Sequence, residues 1–213
     1  MLHHRILDAF PFVAAAACGA ALLAAVALAD DSPAGTDHTT AATAGNADAL
    51  RSGRDVGQAV PSFYVRAVTG PLRNKSVCYV CRNGDRPVVM VLMQRLDHGL
   101  AELLKGIDAV VDANRATGLR SFGVLISEEP SQDAPKLQTL AFDEKIDLPL
   151  TVATTVVSSS TCQNVHPHAA VTVVLYRNSK VVSTFAYRAG ELDGQKVDEV
   201  LAGVRELAAA GGD

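Results

Sequence analysis

The sequence has no tryptophan, and its 213 residues include only six phenylalanines and four tyrosines. Few side chains can therefore stack on bases or sugar rings. There is no excess of positive charge either, because 19 Lys and Arg stand against 23 Asp and Glu, for a formal net charge of −4. A chain without a basic stripe for phosphates is not expected to have nucleic acid as a partner.

The motifs of several enzyme classes are also missing. The sequence has no glycine-rich phosphate loop, no Ser/His/Asp order typical of a hydrolase, and no carboxylate pair that helical spacing would bring together. We therefore expect no cofactor. The sequence does contain 48% apolar residues, which fits one globular domain with some additional chain.

The first 29 residues have the layout of a secretory leader. Arg5 gives a short cationic start, residues 10–29 are almost wholly apolar, and the small residues before Asp30 suit cleavage after Ala29. This predicts a signal peptide over residues 1–29 and export to the periplasm or the extracellular space. The alternative is an uncleaved leader that tethers the protein to the membrane, since roughly 18 to 20 apolar residues can span a bilayer.

Residues 30–58 are rich in Asp, Ser, Thr, Ala and Gly and have few large apolar groups. Such a segment buries too little surface to offset its chain entropy. The composition therefore predicts a flexible linker over residues 30–58 and a folded domain over residues 59–210. In an exported domain, cysteines that lie close together tend to be oxidised.

The folded part alternates between strand and helix periods, which indicates an α/β protein. Apolar runs predict strands over residues 60–68, 87–93, 120–127, 148–155, 170–177 and 181–187, and helical spacing predicts helices over residues 97–118, 134–145 and 193–210. Asp97 is the predicted N-cap of the first helix. The strand, helix, strand order predicts parallel pairing, and the last two strands form a hairpin across Asn178 and Ser179.

This order of elements, with residues 171–176 leading through a turn into residues 180–182, resembles the thioredoxin-like fold and in particular its peroxiredoxin-like branch. The resemblance covers residues 56–207. The Cys-Tyr-x-Cys pair ahead of the strand at residue 87 is also similar to that of exported bacterial thioredoxin-like proteins of unknown function. The resemblance implies a three-layer domain, with a central mixed sheet flanked by helices, and thiol-disulfide exchange with a protein partner.

The sequence departs from the enzymes of this superfamily at their reactive positions. Thioredoxins and their reductive relatives place a Cys-x-x-Cys pair at the start of the first crossover helix. Here residues 94–98 read Gln-Arg-Leu-Asp-His, without cysteine. Val171 replaces the proline that precedes the threonine of the hairpin strand, and Pro167 lies four residues earlier. Neither a thioredoxin nor a peroxiredoxin nucleophile can therefore be assigned at those positions.

Cys78 and Cys81 are the remaining candidate catalytic pair. The residues that follow them predict a turn rather than a helix. Arg82 and Arg86 stand close in sequence, and such cations favour a thiolate over a thiol. Three hypotheses remain: a redox-active dithiol, a structural disulfide in a non-catalytic binding or scaffold domain, and a pair of zinc or copper ligands. In the first, Cys78 is our candidate attacking sulfur, and exposure decides between the two.

Cys162, His166 and His168 form a second cluster of chemically reactive residues. The antiparallel strand at residue 170 places their loop at the C-terminal end of the strand at residues 87–93, whereas Cys78 and Cys81 precede its N-terminal end. Those ends lie roughly 23 Å apart, too far for a shared metal ion or disulfide. His98 could join His166 or His168 in a local metal or proton-transfer site. The alternative is a set of solvated loop histidines.

Overall fold

A computed structural model describes residues 50–210. The predicted signal peptide and residues 30–49 of the predicted linker lie outside the described residues. The elements in chain order are β1 (Val65–Ala67), β2 (Ser76–Val77), α1 (Tyr79–Asn83), β3 (Val88–Met93), α2 (Leu100–Ala113), β4 (Arg120–Ser127), α3 (Pro130–Glu144), β5 (Leu150–Thr154), β6 (Val171–Arg177), β7 (Lys180–Tyr187) and α4 (Gly194–Ala209). No helix between residues 50 and 210 is long and apolar enough to cross a bilayer.

The strands form one mixed sheet in the order β2-β1-β5-β4-β3-β6-β7. Strand β4 pairs in parallel with both β3 and β5, while β6 runs antiparallel to β3 and β7. The predicted α/β class, the parallel pairing and the final hairpin are all confirmed. The short strand β2 has no counterpart among the predicted elements, and β1 is shorter than the predicted strand over residues 60–68.

The sheet separates two apolar clusters, because successive residues of a strand point to opposite faces. Val89, Val91 and Met93 of β3 face a cluster that includes residues from α2, α3 and α4. Val88, Met90 and Leu92 face a second cluster, which α1 and the turn at residues 155–158 help to cover. The predicted three-layer arrangement is confirmed. The second helical layer is thin, because α1 has only five residues.

Residues 50–58, which composition assigns to the linker, are packed against β6 and β7. The hydroxyl of Ser52 lies 2.6 Å from that of Thr172 and accepts a hydrogen bond from the His166 backbone N–H. The N–H of Gly57 donates to the Val181 carbonyl at 2.8 Å. The predicted boundary at residue 58 is therefore corrected. Hydrogen bonds from backbone and hydroxyl groups hold residues 50–58 against the sheet. Such hydrogen bonds cannot be predicted from the number of apolar residues in a segment.

Helix α2 begins at a different residue from the one predicted. Its N-cap is Gly99, which has a φ of +86°. The Asp97 carboxylate instead accepts hydrogen bonds from the backbone N–H groups of His98 and Gly190. These hydrogen bonds lower the pKa of Asp97 below its usual value. Helix α3 begins four residues before the predicted start, because Pro130 fits the first turn of a helix.

We expect Gly99→Ala to destabilise the protein strongly. A Cβ at this position would lie against the backbone carbonyl oxygen of Leu192, in addition to the strain of a positive φ. The matched control is Gly118→Ala, where φ is also +86° but nothing lies within 4 Å of the added Cβ. Denaturant unfolding should show a loss of about 1 to 2 kcal/mol for the control and a clearly larger loss for Gly99→Ala. Equal losses would contradict the steric argument.

Candidate functional site

Cys78 and Cys81 form a disulfide, with their Cα atoms 5.3 Å apart. The pair lies between β2 and β3, before the N-terminal end of β3, as the sequence predicted. Cys78 is the N-cap of α1, and its Sγ accepts a hydrogen bond from the Cys81 backbone N–H at 3.1 Å. The two cysteines are therefore joined both covalently and through the first turn of this helix.

The segment after Cys78 is a short helix that includes Arg82 and Asn83, so the turn predicted to begin at Arg82 begins two residues later, at residues 84–86. Five residues are too few to show helical periodicity in a sequence, and a helix of this length is not stable alone. Tertiary contacts hold α1 in place. Tyr79 and Val80 are buried, and the Tyr79 ring stacks on Phe122 of β4 with centroids 5.0 Å apart. Phe122 is a site residue that the sequence analysis did not identify.

The two cysteines differ in exposure. Cys78 is buried, with 5% of its surface accessible, whereas Cys81 is exposed. A partner sulfur approaching from solvent therefore meets Cys81 first. Exposure, which the choice between the two cysteines depended on, therefore favours Cys81 over Cys78 as the residue that a partner meets.

Arg82 and Arg86 are exposed and lie on either side of the turn that leaves α1. The Arg86 backbone N–H donates to the Asn83 carbonyl and closes that turn. Arg82 lies close enough to Tyr79 to affect its titration: burial raises the pKa of the Tyr79 hydroxyl, and the Arg82 charge opposes this shift. The Arg82 charge therefore acts on one of the two residues between the cysteines.

The loop between β3 and α2 is held by hydrogen bonds to the loop before β6. The Gln94 side-chain amide donates to the carbonyls of His166 and Ala169, both at 2.8 Å. Val171, which stands at the position of the missing proline, is the first residue of β6. No peptide bond among residues 50–210 is cis. Gln94 therefore joins the end of β3 to the loop before β6. Nothing in the sequence around Gln94 predicts this role.

The second cluster lies at the C-terminal end of β3, as predicted, and therefore at the opposite end from Cys78. Cys162 is a free cysteine, and partial burial raises the pKa of its thiol. The rings of His166 and His168 lie 5.4 Å apart, and His166 Nδ1 accepts a hydrogen bond from the His168 backbone N–H. His98 is exposed. Within the described range, no three His, Cys, Asp or Glu side chains are placed to hold a metal ion.

No protein-family model matches the sequence, and no curated protein matches it. Solved structures do match. A secreted disulfide oxidoreductase of Mycobacterium tuberculosis, homologous to Escherichia coli DsbE, is 11% identical with a TM-score of 0.51, over 68% of this chain and 95% of that one. AhpC of the same organism is 14% identical with a TM-score of 0.56, over 74% and 94%.

A third structure, the yeast mitochondrial 1-Cys peroxiredoxin, is 13% identical with a TM-score of 0.54, over 74% of this chain and 78% of that one. At these identities the likeness establishes the fold alone. The chain has the thioredoxin-like fold, in the arrangement shared by DsbE-type proteins and peroxiredoxins. The predicted fold and its peroxiredoxin-like resemblance are thus confirmed.

Proposed function

We propose that this protein is a thiol-disulfide exchange module that uses Cys81 and Cys78. The observation that carries the proposal is the asymmetry of the pair: Cys81 is exposed, while Cys78 is buried and its Sγ accepts a backbone hydrogen bond. Exchange needs one accessible sulfur and a second that leaves readily as a thiolate. A hydrogen-bond donor to Cys78 Sγ favours that thiolate.

In the oxidised protein, a partner thiolate attacks the Cys81 sulfur. A mixed disulfide forms, the Cys78–Cys81 bond breaks, and the electron pair of that bond remains on Cys78 as a thiolate. A second partner thiolate then attacks the partner sulfur of the mixed disulfide and releases Cys81. The partner dithiol is oxidised to a disulfide, the cysteine pair is reduced by two electrons, and the two partner protons reach the released thiolates through solvent.

Arg82 and Arg86 support this reaction because they follow Cys81 within five residues of the chain. Both are exposed, and no ion pair of either is found among the described residues. Exposed cations without carboxylate partners stabilise a nearby thiolate. Their contribution is electrostatic, and the sulfur chemistry belongs to the two cysteines.

We further propose that the reaction takes place outside the cytosol. The predicted leader over residues 1–29 supports export, and a protein disulfide persists in an oxidising compartment. The partner would then be another exported protein with cysteines. If the leader is not cleaved, the domain would act close to the membrane.

The competing function is a binding or scaffold domain in which the disulfide is structural. The burial of Cys78 beside Tyr79 favours it, because the bond then holds α1 against the sheet. Closing so short a loop stabilises a protein by only about 2 kcal/mol in the loop-entropy model. The two functions therefore differ in how readily the bond is reduced.

The reduction potential of the Cys78–Cys81 pair tests the proposal. We expect a value between about −120 and −270 mV, the range of exchange proteins, when the full domain is equilibrated in glutathione buffers and its thiols are counted by mass spectrometry. Cys162→Ser is the control and should leave the potential unchanged. A potential below about −300 mV would assign the disulfide to a structural role.

A further inference from the structure

The surface near the exposed Cys81 carries more cations than acids. Three cations at the N-terminal edge of the sheet define what we name the basic rim: Arg82, Arg86 and Arg120. The Arg120 N–H donates to the Pro87 carbonyl at 3.0 Å, which places Arg120 close to Arg86. Arg120 also lines one cavity together with Tyr79 and Asn83 of α1.

The basic rim has little neutralising charge. Asp85 is the exposed acid within it, and the described residues contain no ion pair of any rim cation. Arg120 donates to backbone carbonyls of Leu119 and Arg115.

Two further acids, Asp108 and Asp147, line a cavity of about 190 Å³ together with Tyr79 and Arg120. Asp108 is buried, and its carboxylate accepts a hydrogen bond from the Asp147 backbone N–H.

A local positive field around one sulfur contrasts with the net charge of −4 for the whole chain. Such a field attracts anionic groups and raises their rate of encounter by one to three orders of magnitude. It also disfavours cationic partners. The charge therefore selects among thiols that could otherwise reach Cys81 equally well.

We propose that the substrate of this site is a polypeptide whose cysteines are flanked by Asp or Glu. The inference rests on the proposed exchange function and specifies its substrate class. The flanking carboxylates contact the basic rim while the partner sulfur meets Cys81. An anionic membrane surface would also be attracted, but it would make no use of the exposed Cys81 near the rim. The peptide is therefore the occupant that the observations favour.

Three dithiol peptides of one length test the inference, with their two cysteines flanked by Glu, Gln or Lys. Oxidised protein is mixed with each peptide, quenched with acid and analysed by mass spectrometry. Each rate is divided by the rate of the same peptide with the neutral reagent 4,4′-dithiodipyridine, which corrects for differences in thiol reactivity. The measurement is made at 0.01 M and 1 M salt, where the Debye length is about 30 and 3 Å.

We expect the Glu peptide to react at least ~10-fold faster than the Lys peptide at 0.01 M salt, with the Gln peptide between them, and the three rates to converge at 1 M. The double variant Arg82→Glu/Arg86→Glu should reverse this order. The control double variant Arg95→Glu/Arg205→Glu makes the same change in net charge on exposed residues outside the rim, on the β3–α2 loop and on α4, and should keep the order.

The outcomes separate the inference from the function on which it rests. If no peptide is oxidised, including the Gln peptide, the exchange function itself is overturned. If the Gln peptide is oxidised but the Glu and Lys peptides react at equal corrected rates at 0.01 M salt, the function stands and the acidic substrate class is overturned. Rim-dependent binding to phosphatidylcholine/phosphatidylglycerol vesicles without any peptide preference would assign the rim to a membrane and overturn the inference as well.

Discussion

Cys78→Ser is expected to capture a disulfide-containing partner peptide as a stable mixed disulfide, whereas Cys81→Ser is expected to capture almost none. In the first variant the exposed Cys81 can attack a partner disulfide, but no second cysteine is present to release the adduct. In the second variant the remaining thiol belongs to Cys78, which is buried. We expect at least ~100-fold more adduct with Cys78→Ser, measured by non-reducing mass spectrometry.

Cys162→Ser is the matched control for this experiment. It removes the half-buried free thiol and leaves the Cys78–Cys81 pair intact, so it should behave as wild type. Capture by Cys81→Ser and not by Cys78→Ser would assign Cys78 as the attacking sulfur and contradict the exposure argument. Absence of capture by both variants would favour the structural disulfide.

Phe122→Ala is expected to cost about 3 to 5 kcal/mol of unfolding free energy, the usual cost of deleting a fully buried phenylalanine ring. Phe122 is inaccessible to solvent, and its ring stacks on the Tyr79 ring of α1. Without it, α1 should lose contact with the sheet more often. The Cys78 thiol of the reduced protein should then be alkylated by iodoacetamide about 10-fold faster.

Leu137→Ala separates local loosening of α1 from general instability. Leu137 is equally inaccessible but belongs to the cluster on the other face of the sheet, and its loss should cost about 2 to 5 kcal/mol. Alkylation of Cys78 should be much slower in this variant than in Phe122→Ala. Phe122→Leu keeps more of the core volume and should show a smaller increase in the same direction. Equal alkylation rates in Phe122→Ala and Leu137→Ala would mean that the ring stack does not hold α1.

The central strands could be predicted because burial on both faces leaves a continuous apolar run. Strand β4 was predicted with the bounds that it has, and β3 within one residue. Their parallel pairing follows from the length of the crossover helix between them. Such strands and their pairing depend on a pattern of many residues, so they can be predicted from a single sequence.

The elements around the disulfide could not be predicted in the same way. Strand β2 has two residues and α1 has five, so neither spans enough chain to show a period. Tertiary contacts decide their conformation, above all the stack of Tyr79 on Phe122, which joins residues 43 positions apart. The exposure of Cys81 depends on these contacts, and sequence order gave no means of choosing between the two sulfurs.

The start of α2 shows a different kind of difficulty. Asp97 has the chemistry of an N-cap, and it does accept backbone N–H hydrogen bonds, but one of them comes from Gly190, 93 residues away. The Asp97 carboxylate accepts this hydrogen bond from a distant part of the chain and does not cap α2, whose N-cap is Gly99. A preference that is correct for the residue type therefore gave the wrong position for the end of the helix.

The segment that begins at Leu50 also has a protective consequence. Strand β7 is the last strand of the sheet, and its outer backbone groups at Val181 are bonded to Gly57 and Gln58. An uncovered terminal strand is a template for association between molecules. A shortened chain that began at Ala59 would lack Gly57 and Gln58. The backbone N–H and carbonyl of Val181 could then pair with a strand of another molecule.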